Sequence, residues 1–157
     1  MSAAQPVSEG SLTADVDGLE PPVKDSYTAE TVLLTTQYDQ LFKQEAWSAR
    51  GEWWIDGPSR PQRSLSIVLN VVQTASLNTP YDLNTDVSLV RAVFVERLAL
   101  GIDPFYKAIQ GTVTFLSFPV AGSEKGQIEA EFDFLGQNGD AVPKTVTVSK
   151  GKLQIHN

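Results

Sequence analysis

The chain of 157 residues contains no cysteine, a single histidine and no long apolar run. Without cysteine there is no disulfide framework and no thiolate metal site. The histidine, His156, is the penultimate residue, and a chain end is a poor place for a general base or a metal ligand. A Ser-His-Asp or Cys-His nucleophile system is therefore not expected. No stretch approaches the roughly 18 apolar residues that a membrane-spanning helix needs, and the N-terminus lacks the apolar core of a signal peptide. No glycine-rich phosphate loop of the Walker or dinucleotide type is present. The sequence predicts a soluble, non-enzymatic, single-domain protein made in the cytoplasm, with no cofactor and no metal.

Basic residues are also scarce. The formal charge is −7, from 12 Lys and Arg against 19 Asp and Glu. Much of the excess lies near the start, where Glu9, Asp15, Asp17, Glu20, Asp25 and Glu30 face Lys24 alone. An acidic chain makes a poor nucleic-acid binder, because Lys and Arg drive that binding by releasing counterions from phosphates. It can still form a surface along which nucleic acid slides. Residues 1–26, rich in Ser, Ala, Gly, Pro and acids, read as a flexible acidic arm. Such a segment buries too little apolar surface alone to offset its ordering entropy, unless it docks on a neighbouring subunit. The globular domain is expected over 27–157.

The most legible stretch is Gly111 to Gly139. It reads as two strands joined by a glycine-bounded turn at Ala121 to Gly126. The second strand alternates strictly: Ile128, Ala130, Phe132 and Phe134 fall on one face, and Gln127, Glu129, Glu131 and Asp133 on the other. Period two with one apolar side predicts a half-buried antiparallel strand. The polar side is an acidic ladder. Carboxylates two residues apart on one strand face lie about 7 Å apart, which overlaps the spacing of an inverting glycosidase pair. Nothing else in the chain supports catalysis, and a solvated face is the stronger reading.

Elsewhere, β-branched runs predict strands at Thr31–Thr36, Glu52–Asp56 and Arg63–Thr74. Leu89–Leu98 has no clean helical polar face. It reads as a strand in which Val90, Ala92, Phe94 and Leu98 share a side, interrupted by Glu96. The segment 39–47 is left between a loop and a helical turn, and 78–88 has room for one helical turn. Turns are expected at Gly57-Pro58 and Gly101–Pro104. Phe105–Gln110 extends toward Gly111, and Ala141–Ile155 reads as a last strand pair, or an arm, turning at Lys150-Gly151. The sum is all-β: seven or eight strands, at most one short helix, a sandwich or a barrel. Trp47, Trp53 and Trp54 cluster in sequence. The adjacent pair must point to opposite faces of a strand, which favours one core and one edge or interface tryptophan over a sugar-stacking platform.

The order of these pieces resembles the tail tube proteins of long-tailed bacteriophages and phage-like particles. The resemblance rests on the strand Val90-Arg91-Ala92-Val93-Phe94-Val95 and the loop with Asp103-Pro104. It continues in Gln110-Gly111-Thr112-Val113-Thr114-Phe115-Leu116-Ser117-Phe118, the turn to Gly126, and Gln127–Leu135 closing on Gly136. It spans roughly 27–139. It departs at 75–88, a weak place for the helix that family members pack on the sandwich, and in the length of the acidic arm. The resemblance implies a β-sandwich subunit of a virion tail, assembled in the host cytoplasm. Such subunits form homohexameric rings that stack into a tube with other tail proteins. DNA passes through the tube during ejection without specific binding. Glu129, Glu131 and Asp133 then become candidate lumen-facing acids that repel phosphates. The alternative is a β-sandwich binding module, either carbohydrate-binding or capsid-decorating.

Overall fold

The computed structural model describes residues 8–19, 22–23, 26–57, 60–98, 104–120, 122–123 and 125–157. Among them there are ten strands and no helix. The strands are β1 (Glu9–Asp17), β2 (Tyr27–Thr28), β3 (Thr31–Asp39), β4 (Gln44–Gly57), β5 (Arg60–Val72), β6 (Tyr81–Asp82), β7 (Val90–Leu98), β8 (Phe105–Ser117), β9 (Gln127–Gln137) and β10 (Thr145–His156). They belong to one antiparallel sheet in the order β2-β1-β10-β9-β8-β7-β5-β4-β3, with β6 attached to β8. The sandwich half of the expectation is thus replaced by a single sheet, curled into a half-barrel around its own apolar face.

Curling follows from the alternation and from bulges. In β9, Ile128, Ala130, Phe132 and Phe134 are buried, as the sequence predicts. They face Val113 and Phe115 of β8 on one side and Val148, Leu153 and Ile155 of β10 on the other. Between Val148 and Gly151, β10 carries one residue more than β9 does between Phe134 and Phe132. Lys150 sits in this bulge with φ 52°. β8 bulges twice against β9, at Ile109 and at Leu116. A bulge bends its strand and increases the local twist, and here it rolls the sheet over the core. The turn expected at Lys150-Gly151 is this bulge, so 145–156 is one strand and not a pair.

The two edges of the sheet approach one another. Leu34 of β3 donates its N–H to Ser8 Oγ at 2.8 Å and accepts at its carbonyl from Asn157 Nδ2 at 3.2 Å. On one of these edges Ala29 N–H, just after β2, donates to Leu12 O at 3.0 Å and prolongs the β1–β2 ladder. Side chains and chain ends thus bridge the seam where a continuous ladder would close a barrel. Leu12, Tyr27, Leu34, Trp47, Leu65, Ile67, Leu69, Phe94 and Phe115 are all fully buried in the common core.

The flexible-arm expectation for 1–26 fails over Glu9–Asp17. Those residues are β1, paired with β10 from Glu9↔His156 to Asp17↔Thr147, and Leu12, Ala14 and Val16 are core. The apolar residues are few, but they alternate, and a preformed neighbour strand offsets the ordering cost that the segment could not meet alone. Residues 1–7, 20–21 and 24–25 of that stretch lie outside the described residues. So do part of the Gly57-Pro58 turn, most of Gly101–Pro104, and Ala121 and Glu124 in the β8–β9 connection.

Two further expectations change. The short strand at Glu52–Asp56 is the end of a strand of 14 residues, and segment 39–47 is the end of β3, a hairpin turn over 40–43 and the start of β4. The segment 78–88 holds turns and β6 in place of a helical turn. It docks on β8 through Tyr81, whose ring lies 6.0 Å from that of Phe115. This loop fills a split in the sheet, because β7 pairs with β8 only from Val93↔Lys107 to Val95↔Phe105.

Candidate functional site

With the apolar side turned inward, the convex face carries whatever chemistry the outward residues supply. Its first half is β1, β10 and β9. Glu131 and Asp133 are exposed there and Glu129 is half-buried, all on one side of β9. The register sets Glu129 between Gln154 and Ser117, and Glu131 between Lys152 and Thr114; Thr112 faces Asp133. The ladder is therefore real but not uniformly acidic, since Lys152 stands beside its middle rung. Thr112, Thr114, Glu131, Asp133, Lys150 and Lys152 line a shallow groove of about 590 Å³. β1 adds Glu9, Asp15 and Asp17 to the same face. Lys150 Nζ is 3.8 Å from Asp15 Oδ2, and Glu9 is 3.6 Å from His156 Nε2. Six carboxylates on this half meet two lysines and one histidine, so the face stays acidic. Among the described residues no group of three or more His, Asp or Glu could hold a metal ion.

The second half is β3, β4, β5, β7 and the start of β8, and its chemistry is different. One register row reads Leu33–Arg50–Val68–Val93–Lys107, the next Thr31–Glu52–Ser66–Val95–Phe105, and the next Trp54–Ser64–Arg97. Phe105 is 57% exposed, and Leu33 and Trp54 are each 41% exposed. Neighbouring strands lie about 4.8 Å apart and successive outward residues about 7 Å apart, so Leu33, Trp54 and Phe105 stand apart on this half, with half-buried Val68, Val93 and Val95 and the fully buried Ser64 and Ser66 between them. Arg50, Arg97 and Lys107 are set among them against Glu52 alone. Below them, Arg91 is committed: it pairs with Asp39 at 2.6 Å and stacks 4.3 Å over the Phe42 ring.

The tryptophans do not form a platform. Trp47 is fully buried, Trp53 is half-buried edge-on to Tyr27 at 5.7 Å, and only Trp54 faces out. The division into core and surface follows the alternation argument from the sequence.

A third feature is a cleft of about 580 Å³ at one mouth of the half-barrel, lined by Glu96, Tyr106, Asn138, Asp140, Lys144 and their neighbours. Glu96 points inward, where the sequence suggested an interruption, and is 5% exposed. Arg63 answers it: its Nε donates to Glu96 Oε2 at 2.6 Å, and its guanidinium pairs with the same oxygen. Burial pushes the Tyr106 phenol above its ordinary range, with the Glu96 and Asp140 carboxylates adding to the shift. The Glu96 carboxylate is thus tied into an ion pair at the edge of the core. Sequence reasoning missed Arg63 as its partner; the only signal was an acid at an inward position of one strand and an arginine at the start of another, which the sheet sets side by side.

Comparison of the chain with protein-family models, with curated proteins and with solved structures finds no match. What the fold and surface define is a class: an all-β chain built as one curled antiparallel sheet, with a chemically divided outer wall.

Proposed function

We propose that this chain is a structural subunit that assembles with copies of itself into stacked rings, six to a ring, forming the tail tube of a bacteriophage or phage-like particle. The observation that carries the reading is the division of the convex face. One half carries the exposed Leu33, Trp54 and Phe105 among basic residues and half-buried valines, and aromatic residues beside arginine are enriched at protein contacts. The other half carries the acids Glu9, Asp15, Asp17, Glu129, Glu131 and Asp133, exposed or half-buried, which suit a wall left in solvent.

In a ring, the first half serves contact between copies and the acidic half faces the channel. Phosphates passing that wall are repelled, so DNA moves through without adhering. The order of strands from β7 to β9 supports the tube assignment through the resemblance noted in the sequence. The subunit works in the virion tail beside other tail proteins, after assembly in the host cytoplasm, and needs no cofactor. Sedimentation velocity over a concentration series tests the proposal. A tube subunit gives a species of ring mass or larger as concentration rises; a monomer at every concentration excludes it.

A further inference from the structure

The half of the convex face that carries Trp54, Phe105 and three basic residues has a complement elsewhere on the same chain. The connection from β5 to β7, residues 73–89, holds Asp82 and Asp86 and no Lys or Arg. It exposes Leu77, Val87 and Leu89, each more than a third accessible. It is not a loose loop. Asp82 Oδ1 accepts from Asn84 N–H at 2.7 Å and Thr85 N–H at 3.1 Å, and Asp86 Oδ2 accepts from Asp82 N–H at 2.8 Å. Asn78 N–H donates to Phe115 O, and Leu83 N–H to Gly111 O. The buried Tyr81 and Leu83 anchor it. A held loop loses little further freedom on binding, which favours a specific contact.

The receptor patch is of opposite sign, with Arg50, Arg97 and Lys107 around Trp54, Val95 and Phe105. Apolar side chains sit on both surfaces, and the charges match. The loop cannot fold back onto the patch of its own molecule. It joins the sheet at Val72 and Val90, while Arg97 is at the far end of β7, about 23 Å away by the strand rise.

We propose that loop 73–89 of one copy docks on the β4–β5–β7 convex patch of the next copy. The contact is heterologous, with a loop on one side and a sheet face on the other. Heterologous contacts propagate, closing into rings or running on as filaments according to the rotation between copies. This inference rests on the self-assembly reading and adds which surfaces meet. The acids of β9 take no part and remain free for the channel.

Mixing tests it. Phe105→Arg blocks the receptor side and Val87→Arg the loop side; both positions are exposed, so folding is retained, and circular dichroism checks this. A second pair, Arg97→Glu and Asn84→Lys, probes the same two sides by charge alone. Each variant alone should weaken self-association roughly 30-fold or more, as for a central contact residue. An equimolar mixture of the two blocked variants retains one intact loop and one intact patch, and should form a one-to-one dimer that grows no further. If the wild type assembles but the mixture stays monomeric, or if either blocked variant assembles like the wild type, the inference is overturned and self-assembly stands. If the wild type never assembles, both fall.

Discussion

Phe132 of β9 lies directly across from Gly151 of β10, and its ring occupies the space where a side chain at 151 would begin. A Cβ on residue 151 would sit 2.4 Å from Phe132 Cε2 and within 2.6 Å of two further ring atoms. The glycine follows the bulge at Lys150, so one local feature both curls the sheet and admits the aromatic ring. Phe132 also stacks on Phe134, with centroids 6.4 Å apart.

Two substitutions should therefore destabilise the fold by different routes. Phe132→Ala empties the site and should cost about 3–5 kcal/mol. Gly151→Ala forces the ring out of its place and should cost about 1–3 kcal/mol, the usual range for overpacking. Denaturant midpoints at constant slope would check both; a loss below about 1 kcal/mol for Phe132→Ala would contradict the packing described.

The first strand is part of the domain. Leu12 is fully buried against the barrel interior, so Leu12→Ala should cost about 2–5 kcal/mol. Deleting residues 1–17 removes β1 and strips the ladder partner of β10; the truncated chain should lose its cooperative unfolding transition. A truncated chain that melts like the full one would contradict the assignment of β1 to the core.

Arg63 and Glu96 should tolerate joint replacement better than single replacement. Glu96→Ala removes the carboxylate that pairs with Arg63 at the barrel mouth and should destabilise the fold by about 1–3 kcal/mol. A double variant with apolar residues at both positions should recover most of this, because the desolvation of both charges disappears together. Equal losses in the single and double variants, measured by chemical denaturation, would refute the coupling.

Tyr27 makes stability fall at alkaline pH. It is fully buried and its hydroxyl donates to Leu65 O at 3.2 Å. Burial raises its pKa well above the ordinary 10.0. The unfolded chain then loses the phenolic proton near pH 10 while the folded chain keeps it. Stability is therefore full below that pH and declines above it. Tyr27→Phe should flatten the decline and cost on the order of 1 kcal/mol at neutral pH for the lost hydrogen bond. A variant whose stability falls as steeply as the wild type above pH 10 would remove Tyr27 as the cause.

The parts of the fold written in strict period two were legible, and the parts shifted by bulges were not. β9 has no bulge of its own, and its inward set Ile128, Ala130, Phe132 and Phe134 reads directly from the sequence. In β10 the inward residues are Val146 and Val148, then Gly151, Leu153 and Ile155. The extra residue changes their parity, which in the sequence looks like two strands and a turn. β8 changes parity in the same way, between Ala108 and Val113. β1 hides for a different reason: Leu12, Ala14 and Val16 alternate, but in a stretch whose composition favours disorder. The acidic ladder was visible because it shares the clean alternation of β9. Lys152 beside Glu131, and the mixed basic and aromatic half of the outer face, depend on register between distant segments, which one strand's pattern does not contain.

Reversing the ladder separates its role from that of the core. A variant with Glu129→Lys, Glu131→Lys and Asp133→Lys should still assemble, because these side chains lie on the solvent side of β9. If the ladder lines a tube's channel, that channel should then hold DNA, since each lysine can neutralise a phosphate and release a counterion. Particles carrying it should eject DNA slowly at low salt and faster as salt screens the contact. Normal ejection at low salt would contradict a channel-facing ladder, and a failure to assemble would move these residues to a subunit contact.

Negative-stain electron microscopy of the purified, concentrated protein tests the central claim most directly. Self-assembly into a tube predicts closed rings in end view, six-fold in their averages, and stacked tubes with a stain-filled channel in side view. A field of single particles of monomer size at the highest concentrations would contradict it.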